Sequence, residues 1–362
     1  MAGGGMENGI ANICRNLPRE TFNFHVCCLR GGGTFADRLP ATAQLYILNK
    51  KPGFSFSCIR MLRQTILRIK PDIIHTHNLG PLIYTFIASF FGRSWQIIHG
   101  EHAELTPGEL VIRRKFARKF MYKGCCCIHA VSAQLHNNLI ELGFPKNDIC
   151  TILNGVDTNL FFPPDNKRTA KKHLEIAGLS PDDLVIGSVG RFGTFKRHAL
   201  LLAAFDDFAS LHDNVMLVLA GDDGPRKSEV LKKISQCKYS NRIHWIGFQK
   251  NIVPFYQGID LLVAPSINEG MSNAILEAMA CGTPVLANTA CGNSEILAES
   301  EGGTLASMKS ASMLTQLLCA QYENRDCLAT KGIAARKTVS TRFSIEKMTA
   351  KYSNLYLRVA RL

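Results

Sequence analysis

Residues 269–284 read Glu-Gly-Met-Ser-Asn-Ala-Ile-Leu-Glu-Ala-Met-Ala-Cys-Gly-Thr-Pro, and this stretch decides the fold. Gly270 and Asn273 suit a tight entry into a helix, which apolar residues continue as far as the closing Gly-Thr-Pro. The free backbone N–H groups at such a helix start favour an anion such as phosphate. Glu269, before the helix, and Glu277, within it, can accept hydrogen bonds from hydroxyls on either side of that anion. A sugar nucleotide has this layout, with its diphosphate between sugar and ribose hydroxyls.

A second turn, at residues 188–196, carries the positive charge that a diphosphate needs. It reads Ser-Val-Gly-Arg-Phe-Gly-Thr-Phe-Lys and follows a predicted strand. Gly190 and Gly193 let the backbone approach a ligand, while Arg191 and Lys196 place two cations at one turn. The same cations would stabilise the negative charge that develops as a glycosidic bond breaks. Taken alone, the turn is equally consistent with a helix start that carries two solvated cations.

Together these stretches resemble a known family. The Glu-x7-Glu spacing followed by Ala-Met-Ala-x-Gly-x-Pro-Val is similar to the donor-site signature of retaining family 4 glycosyltransferases, which have the two-domain GT-B fold. The resemblance implies that Glu269 holds the donor sugar and Glu277 the ribose. It also implies that Arg191 and Lys196 clamp the diphosphate. The other donor-binding residues that it implies are Gly4, Gly5, Gly190, Gly270, Met271, Ser272 and Asn273.

The N-terminal half carries further matches to the same family. The Gly3–Gly9 segment leads into a predicted helix and resembles the glycine loop that lies against the donor phosphate and the acceptor. His99 occupies the place of a histidine that contacts the donor sugar, so it joins Glu269, Arg191 and Lys196 as an expected catalytic residue. A structural role for His99 stays open, and His102 is a near alternative. The remaining matches in this half are Lys50–Phe54, Pro71–Asn78 and Ile98–His102, and taken together they also resemble sugar transferases of exosortase-type exopolysaccharide clusters. In the second half, Ala220–Pro225 and Ile243–Phe248 resemble further segments of the family, and a structural role for each stays open.

Short β-rich runs alternate with helical stretches, which predicts an α/β protein with two Rossmann-like domains facing across a cleft. The Asn-Gly turn at Asn154 and the proline pair at 163–164 mark the link between them. The predicted domains are an acceptor-side domain at 1–157, a nucleotide-sugar-binding domain at 158–342, and a C-terminal helix at 343–362 that crosses back to the first. Strands of the second domain are predicted at Leu184–Val189, Val215–Ala220, Ile243–Ile246, Leu261–Ala264 and Val285–Ala287.

The first domain is expected to lack its first strand. In the fold of the family, a strand precedes the glycine loop and forms the centre of the first sheet, whereas only Met1 and Ala2 precede Gly3 here. Losing a central strand leaves neighbouring strand edges unpaired and buried backbone groups unsatisfied. Reduced stability and activity are therefore expected of the chain as it stands.

Composition limits the possible classes of protein. The 362 residues fit two ordinary domains, and 46% hydrophobic with 20% charged residues describes a packed globular chain. No apolar stretch approaches the roughly 18 residues of a membrane span, and the start shows no signal peptide. Thirteen cysteines without a Cys-x2-Cys pair indicate core thiols in a reducing compartment. The expected location is the cytoplasm, with peripheral attachment to the inner face of the cell membrane as a further possibility.

The net charge is +13, and its sharpest local cluster is the basic segment Arg113–Lys123. Ile112, Phe116 and Phe120 recur every four residues within it, so they share one face of a predicted helix. One interpretation is a surface helix that packs its phenylalanines inward. The other is contact with an anionic membrane surface or with a lipid-diphosphate acceptor.

The resemblance implies a retaining, hexosyltransferase-type enzyme. A sugar would move from a nucleotide-diphosphate donor, with UDP-sugar expected, to a hydroxyl of a saccharide or polyprenyl-diphosphate-linked acceptor in exopolysaccharide or cell-surface glycan synthesis. No Asp-x-Asp occurs, so neither metal nor other cofactor is expected. A sugar-nucleotide 2-epimerase of the same fold is one alternative, but it should lack the Glu-x7-Glu pair. A basic nucleic-acid-binding protein is another, but it should interleave exposed aromatics with Lys and Arg. No nucleic-acid partner is expected.

Overall fold

The computed structural model describes residues 4–89, 95–103, 105, 111–144, 149–221, 224–289 and 291–361. The chain divides into two compact units. Unit 1 comprises Met1–Gly155 with Ile345–Leu362, and unit 2 comprises Val156–Ser344. Among the described residues, no helix is both long enough and apolar enough to cross a bilayer.

Strands and helices alternate along most of the described chain. The strands are β1 His25–Cys28, β2 Gln44–Ile47, β3 Ile73–His77, β4 Gln96–Glu101, β5 Cys127–Ala130, β6 Ile149–Thr151, β7 Leu184–Val189, β8 Val215–Ala220, β9 Ile243–Trp245, β10 Leu261–Ala264, β11 Val285–Asn288 and β12 Gly303–Ala306. The helices are α1 Gly5–Asn16, α2 Phe56–Ile69, α3 Leu79–Ser89, α4 Ile112–Tyr122, α5 Ala133–Glu141, α6 Lys167–Lys172, α7 His198–Ala209, α8 Lys227–Gln236, α9 Val253–Gly258, α10 Asn273–Ala280, α11 Cys291–Leu297, α12 Ala311–Glu323, α13 Leu328–Arg342 and α14 Ile345–Ala360.

Unit 2 contains one parallel sheet with the strand order β12-β11-β10-β7-β8-β9. The chain builds outward from β7 in one direction and from β10 in the other, so the order reverses between these two neighbours. Ligands of open α/β sheets bind beyond the carboxyl ends of the strands at such a reversal. Phe205 and Phe208 of α7 are fully buried in the core of this unit, where each contributes roughly 1.5–3 kcal/mol. The predicted α/β class with Rossmann-like halves is confirmed.

Unit 1 contains two separate parallel sheets, β1-β2 and β3-β4-β5-β6. The C-terminal helix α14 belongs to this unit and buries Met348, Tyr352 and Tyr356 in a core shared with Ile13 and Leu17 of α1. The returning chain therefore completes the hydrophobic core of unit 1.

The sheet of unit 1 is interrupted between β1 and β3. Within the described residues, β1 is paired on one side only, with β2, and β3 on one side only, with β4. A cavity of about 740 Å³ lies there, lined by Ile10 of α1, Val26 of β1 and Ile74 of β3. This is the place where the family resemblance leads us to expect a central strand.

We predict that an apolar strand added ahead of Gly4 stabilises unit 1. An N-terminal extension of about ten to fifteen residues holds a strand of ordinary length, which can pair with both open edges and fill the cavity. Thermal unfolding should shift upward by several degrees relative to the unextended chain. A glycine-serine extension of equal length is the control, and equal melting of the two extended forms would contradict the prediction.

Candidate functional site

An ion pair joins the ends of β7 and β10 in unit 2. The Lys196 ammonium donates a hydrogen bond to Oε1 of Glu269, and both side chains are partly buried. Lys196 follows β7 and Glu269 follows β10, the two neighbouring strands at which the strand order reverses. The parallel sheet thus brings together two residues that are far apart in sequence but were expected in one donor site.

Helix α10 begins directly behind this ion pair. Its first residue is Asn273, preceded by the buried residues Gly270, Met271 and Ser272. Backbone N–H groups at the start of an α-helix point towards the residues that precede the helix. Such a helix start attracts negative charge.

The carboxylate of Glu277 lies on the same helix and is held in place by a tyrosine. The hydroxyl of Tyr256, a fully buried residue of α9, donates to Oε2 of Glu277 at 2.8 Å. This bond fixes one oxygen of Glu277 and so orients the carboxylate. The sequence pattern did not identify Tyr256, because it lies in a separate short helix without a recognised motif.

Close backbone contacts hold the glycine turns together. Gly190 has φ +154° and Gly221 has φ +144°, and a Cβ on Gly221 would come within 2.4 Å of the Gly190 carbonyl oxygen. The Gly221 N–H in turn donates to the Gly247 carbonyl at 2.9 Å. A Cβ on Gly190 would lie 3.0 Å from Cε of Lys196, so glycine leaves room for the lysine side chain. Arg191, five residues before Lys196, is exposed.

A further glycine supports the Glu269 segment. The Gly292 N–H donates to the Glu269 carbonyl at 3.3 Å. A Cβ at Gly292 would meet the Gly270 carbonyl oxygen at 2.1 Å. Helix α11 can therefore pack this closely only with glycine at that position.

In unit 1, Gly4 and Gly5 form the start of α1. Gly4 is the N-cap residue with extended backbone, and its carbonyl accepts from the Asn8 N–H at 3.1 Å. A Cβ on Gly4 would meet Oε2 of Glu7 at 2.6 Å. Gly3 lies outside the described residues.

His99 is fully buried in unit 1, and both of its ring nitrogens are engaged there. Nδ1 lies 2.9 Å from Oγ1 of Thr76, and Nε2 lies 3.2 Å from Oε1 of Glu101. The same carboxylate oxygen accepts from the Tyr122 hydroxyl and lies 3.2 Å from Nε of Arg118. For His99 to hydrogen-bond a sugar, one of its ring nitrogens would therefore have to leave Thr76 or Glu101. No motif in the sequence indicates this surrounding network.

Two family profiles match consecutive parts of the chain. The family profile of Glycosyltransferase Family 4 matches residues 3–160, and that of Glycosyl transferases group 1 matches residues 170–337. The chain is 33% identical over 295 residues to the inferred glycosyltransferase EpsF of Bacillus subtilis (strain 168), covering 78% of this chain and 75% of EpsF. The chain belongs to the family 4 glycosyltransferases.

One further relative and one solved structure match almost the whole chain. The chain is 24% identical over 358 residues to the UDP-Gal:alpha-D-GlcNAc-diphosphoundecaprenol alpha-1,3-galactosyltransferase of Escherichia coli, covering 94% of this chain and 90% of that protein. The crystal structure of Anabaena Alr3699/HepE in complex with UDP-glucose superposes with a TM-score of 0.83 at 22% identity. This superposition covers 98% of this chain and 96% of that one, and it confirms the GT-B fold.

His198 of this glycosyltransferase is buried and lies close enough to Lys196 to feel its charge. Burial, and then the charge of Lys196, lower its pKa to about 4, so the ring is neutral near pH 7. Its Nδ1 has no hydrogen-bond partner among the described residues. The sequence did not single out His198, because it is the first residue of an apolar helix.

A histidine cluster in unit 1 is the group of described residues that could ligate a metal ion. Nitrogens of His75, His77 and His129 lie within 4.8 Å of one another. In the structure, His75 Nε2 lies 2.9 Å from His129 Nε2, and His77 Nδ1 lies 2.8 Å from His102 Nε2. Burial lowers the pKa of all four histidines, so they are neutral and pair with one another.

We predict that Glu101→Gln destabilises unit 1. Burial alone would raise the Glu101 pKa, but the hydrogen bond from His99, the charges of His99 and Arg118 and the Tyr122 hydroxyl hold it at about 2. Removing the charge breaks the buried ion pair between Glu101 and Arg118, and breaking a buried pair from one side costs about 3–5 kcal/mol. The midpoint of urea unfolding measures this loss, and the exposed Glu141→Gln is the control.

The pH dependence of this contribution follows from the lowered pKa. The stabilisation by Glu101 is fully present above its ordinary pKa of 4.5 and declines as pH falls towards about 2. The stability difference between parent and Glu101→Gln should therefore shrink below pH 4.5. A difference that is already small at pH 7 would contradict the prediction.

Proposed function

We propose that this glycosyltransferase transfers a hexosyl group from a UDP-sugar to a hydroxyl of a saccharide or polyprenyl-diphosphate-linked acceptor. The reaction would serve exopolysaccharide or cell-surface glycan synthesis and would retain the anomeric configuration. The single observation that supports it most is the Lys196–Glu269 ion pair, which lies just before the start of α10 at the reversal of the unit 2 sheet.

Each donor-site residue has a role that its surroundings support. Lys196 and the exposed Arg191 would bind the diphosphate together with the N–H groups at the start of α10. Glu269 would accept hydrogen bonds from the sugar hydroxyls, and Glu277 would accept from the ribose hydroxyls. Because Tyr256 already fixes one oxygen of Glu277, a ribose hydroxyl would meet an oriented acceptor. His99 would contact the sugar, and Gly4 and Gly5 would lie against the donor phosphate.

Retention would follow from attack on the same face that the leaving group departs from. The acceptor hydroxyl would pass its proton to the leaving diphosphate while the new glycosidic bond forms, so we assign no protein nucleophile. Glu269 suits a binding role because its charge is paired with Lys196. Lys196, Arg191 and the α10 start would stabilise the charge that develops on the diphosphate. They supply this positive charge without a divalent metal ion or other cofactor.

The Escherichia coli relative named above acts, by its name, on a diphosphoundecaprenol-linked sugar. A polyprenyl-linked acceptor for this chain would place the reaction at the cytoplasmic inner face of the cell membrane, with the enzyme bound peripherally. We propose no nucleic-acid partner, because the chain belongs to a family of sugar transferases.

We predict that Lys196→Ala lowers turnover of a nucleotide sugar by about 100-fold or more. One electrostatic donor to the developing charge is lost, and such losses cost about this much. Donor hydrolysis or transfer is measured over a panel of nucleotide sugars in EDTA. Lys232→Ala, an exposed lysine of α8, is the control. Full activity of Lys196→Ala, or an absolute requirement for added Mg²⁺ or Mn²⁺, would be incompatible with the proposed site.

We predict that the transferred sugar keeps the anomeric configuration it has in the donor. Proton NMR of the product reads this directly through the coupling of the anomeric proton. The same spectra separate the alternative of a 2-epimerase, which would convert the donor itself without an acceptor. An inverted product, or epimerised donor without transfer, would refute the proposed reaction.

A further inference from the structure

Helix α4 presents an apolar face to solvent. Ile112, Phe116 and Phe120 are 72%, 69% and 61% exposed, and their four-residue spacing places them on one stripe of the helix. The interpretation that these phenylalanines pack inward is therefore wrong. A large apolar area is unfavourable in water, so an exposed aromatic stripe of this kind marks a surface that binds another protein or a membrane.

The opposite face of α4 fixes this orientation. Arg118 is only 1% exposed and pairs with Glu101, while Met121 and Tyr122 are buried. Turning the helix to bury its phenylalanines would remove the buried guanidinium from its carboxylate, at a high cost in free energy. Phe120 is further braced by an edge contact with Phe86 of α3, with ring centroids 5.5 Å apart. The outward stripe is thus built into the packing of unit 1.

Basic side chains flank the apolar stripe. Lys115, Lys119 and Lys123 belong to α4 or follow it directly, and none of them takes part in an ion pair found among the described residues. The first turn of the helix holds no acidic residue. Apolar insertion combined with flanking lysines is the chemistry of a helix that lies in the interface of an anionic bilayer.

We propose that α4 is a membrane-docking helix that inserts Ile112, Phe116 and Phe120 into an anionic lipid surface, with its lysines at the headgroups. A second protein copy fits this face less well, because like-charged lysines would meet across the contact. The proposal goes beyond sugar transfer and does not depend on it, because lipid binding is measured without any donor.

The test is co-sedimentation of the full chain with vesicles of phosphatidylcholine and phosphatidylglycerol, against vesicles of phosphatidylcholine alone. We expect binding to the anionic vesicles that weakens as salt rises. Phe116→Ser with Phe120→Ser should lower the partition coefficient by about tenfold or more, because most of the inserted apolar area is lost. Replacing Lys115, Lys119 and Lys123 with Gln should lower it about fivefold for each lysine.

Matched controls lie in unit 2. Leu211 and Ile333 are 65% and 73% exposed, so Leu211→Ser with Ile333→Ser removes a comparable apolar exposure elsewhere. Lys172, Lys232 and Lys337, all exposed, are changed to Gln to match the loss of charge. Both controls should bind as the parent does. Thermal unfolding of every variant shows whether it is folded, and Arg118 is left intact because it supports the unit.

Two results would overturn the proposal. In the first, the Phe116/Phe120 variant is folded and pellets with anionic vesicles as the parent does. In the second, the parent ignores vesicles but forms a concentration-dependent dimer that the same variant abolishes, so that a second copy covers the stripe. A loss of vesicle binding by the α4 variants alone, with both controls unchanged, supports it.

Discussion

The ion pair between Lys196 and Glu269 is the contact on which the candidate donor site depends. It connects the segment after β7 with the segment after β10, the two strands at which the unit 2 sheet reverses its order. The pair requires Gly190 to leave space for the lysine chain and Gly292 to let α11 approach the Glu269–Gly270 backbone. The ion pair and the glycine contacts therefore involve neighbouring atoms. A larger residue at Gly190 or Gly292 would displace Lys196 or the Glu269 segment, respectively.

The parts that follow from local pattern were predictable from the sequence. Strands such as Leu184–Val189 and Leu261–Ala264 are continuous apolar runs because both faces of a parallel sheet are buried. β12 was not predicted, because Gly303–Ala306 is a partly exposed edge strand without such a run. The meeting of Lys196 with Glu269 was expected only through the family resemblance, since no local pattern encodes a contact across 73 positions.

The surroundings of His99 could not be read from the sequence for a different reason. It bonds to Thr76 and Glu101, and Glu101 in turn contacts Arg118 and Tyr122. These residues come from two strands and a helix, and each is an ordinary residue in its own segment. One interpretation of the hydrophobic periodicity also placed the phenylalanine face of α4 in the core, whereas that face is exposed to solvent. A hydrophobic stripe normally outweighs a single arginine, but the buried carboxylate of Glu101 reverses that preference by pairing with the guanidinium.

Arg118 lies midway in sequence between Phe116 and Phe120, about 3 Å along the helix axis from each. The buried arginine and the two exposed phenylalanines therefore lie at nearly the same height along one helix. If α4 rests on lipid, the reach of two phenylalanine rings sets how deeply unit 1 is immersed. The salt bridge between Arg118 and Glu101 links α4 to β4, the strand that holds His99. The depth of the helix in the bilayer would therefore also set the position of that strand. A bilayer would thus serve as a reference plane that fixes the height of this histidine above the headgroups.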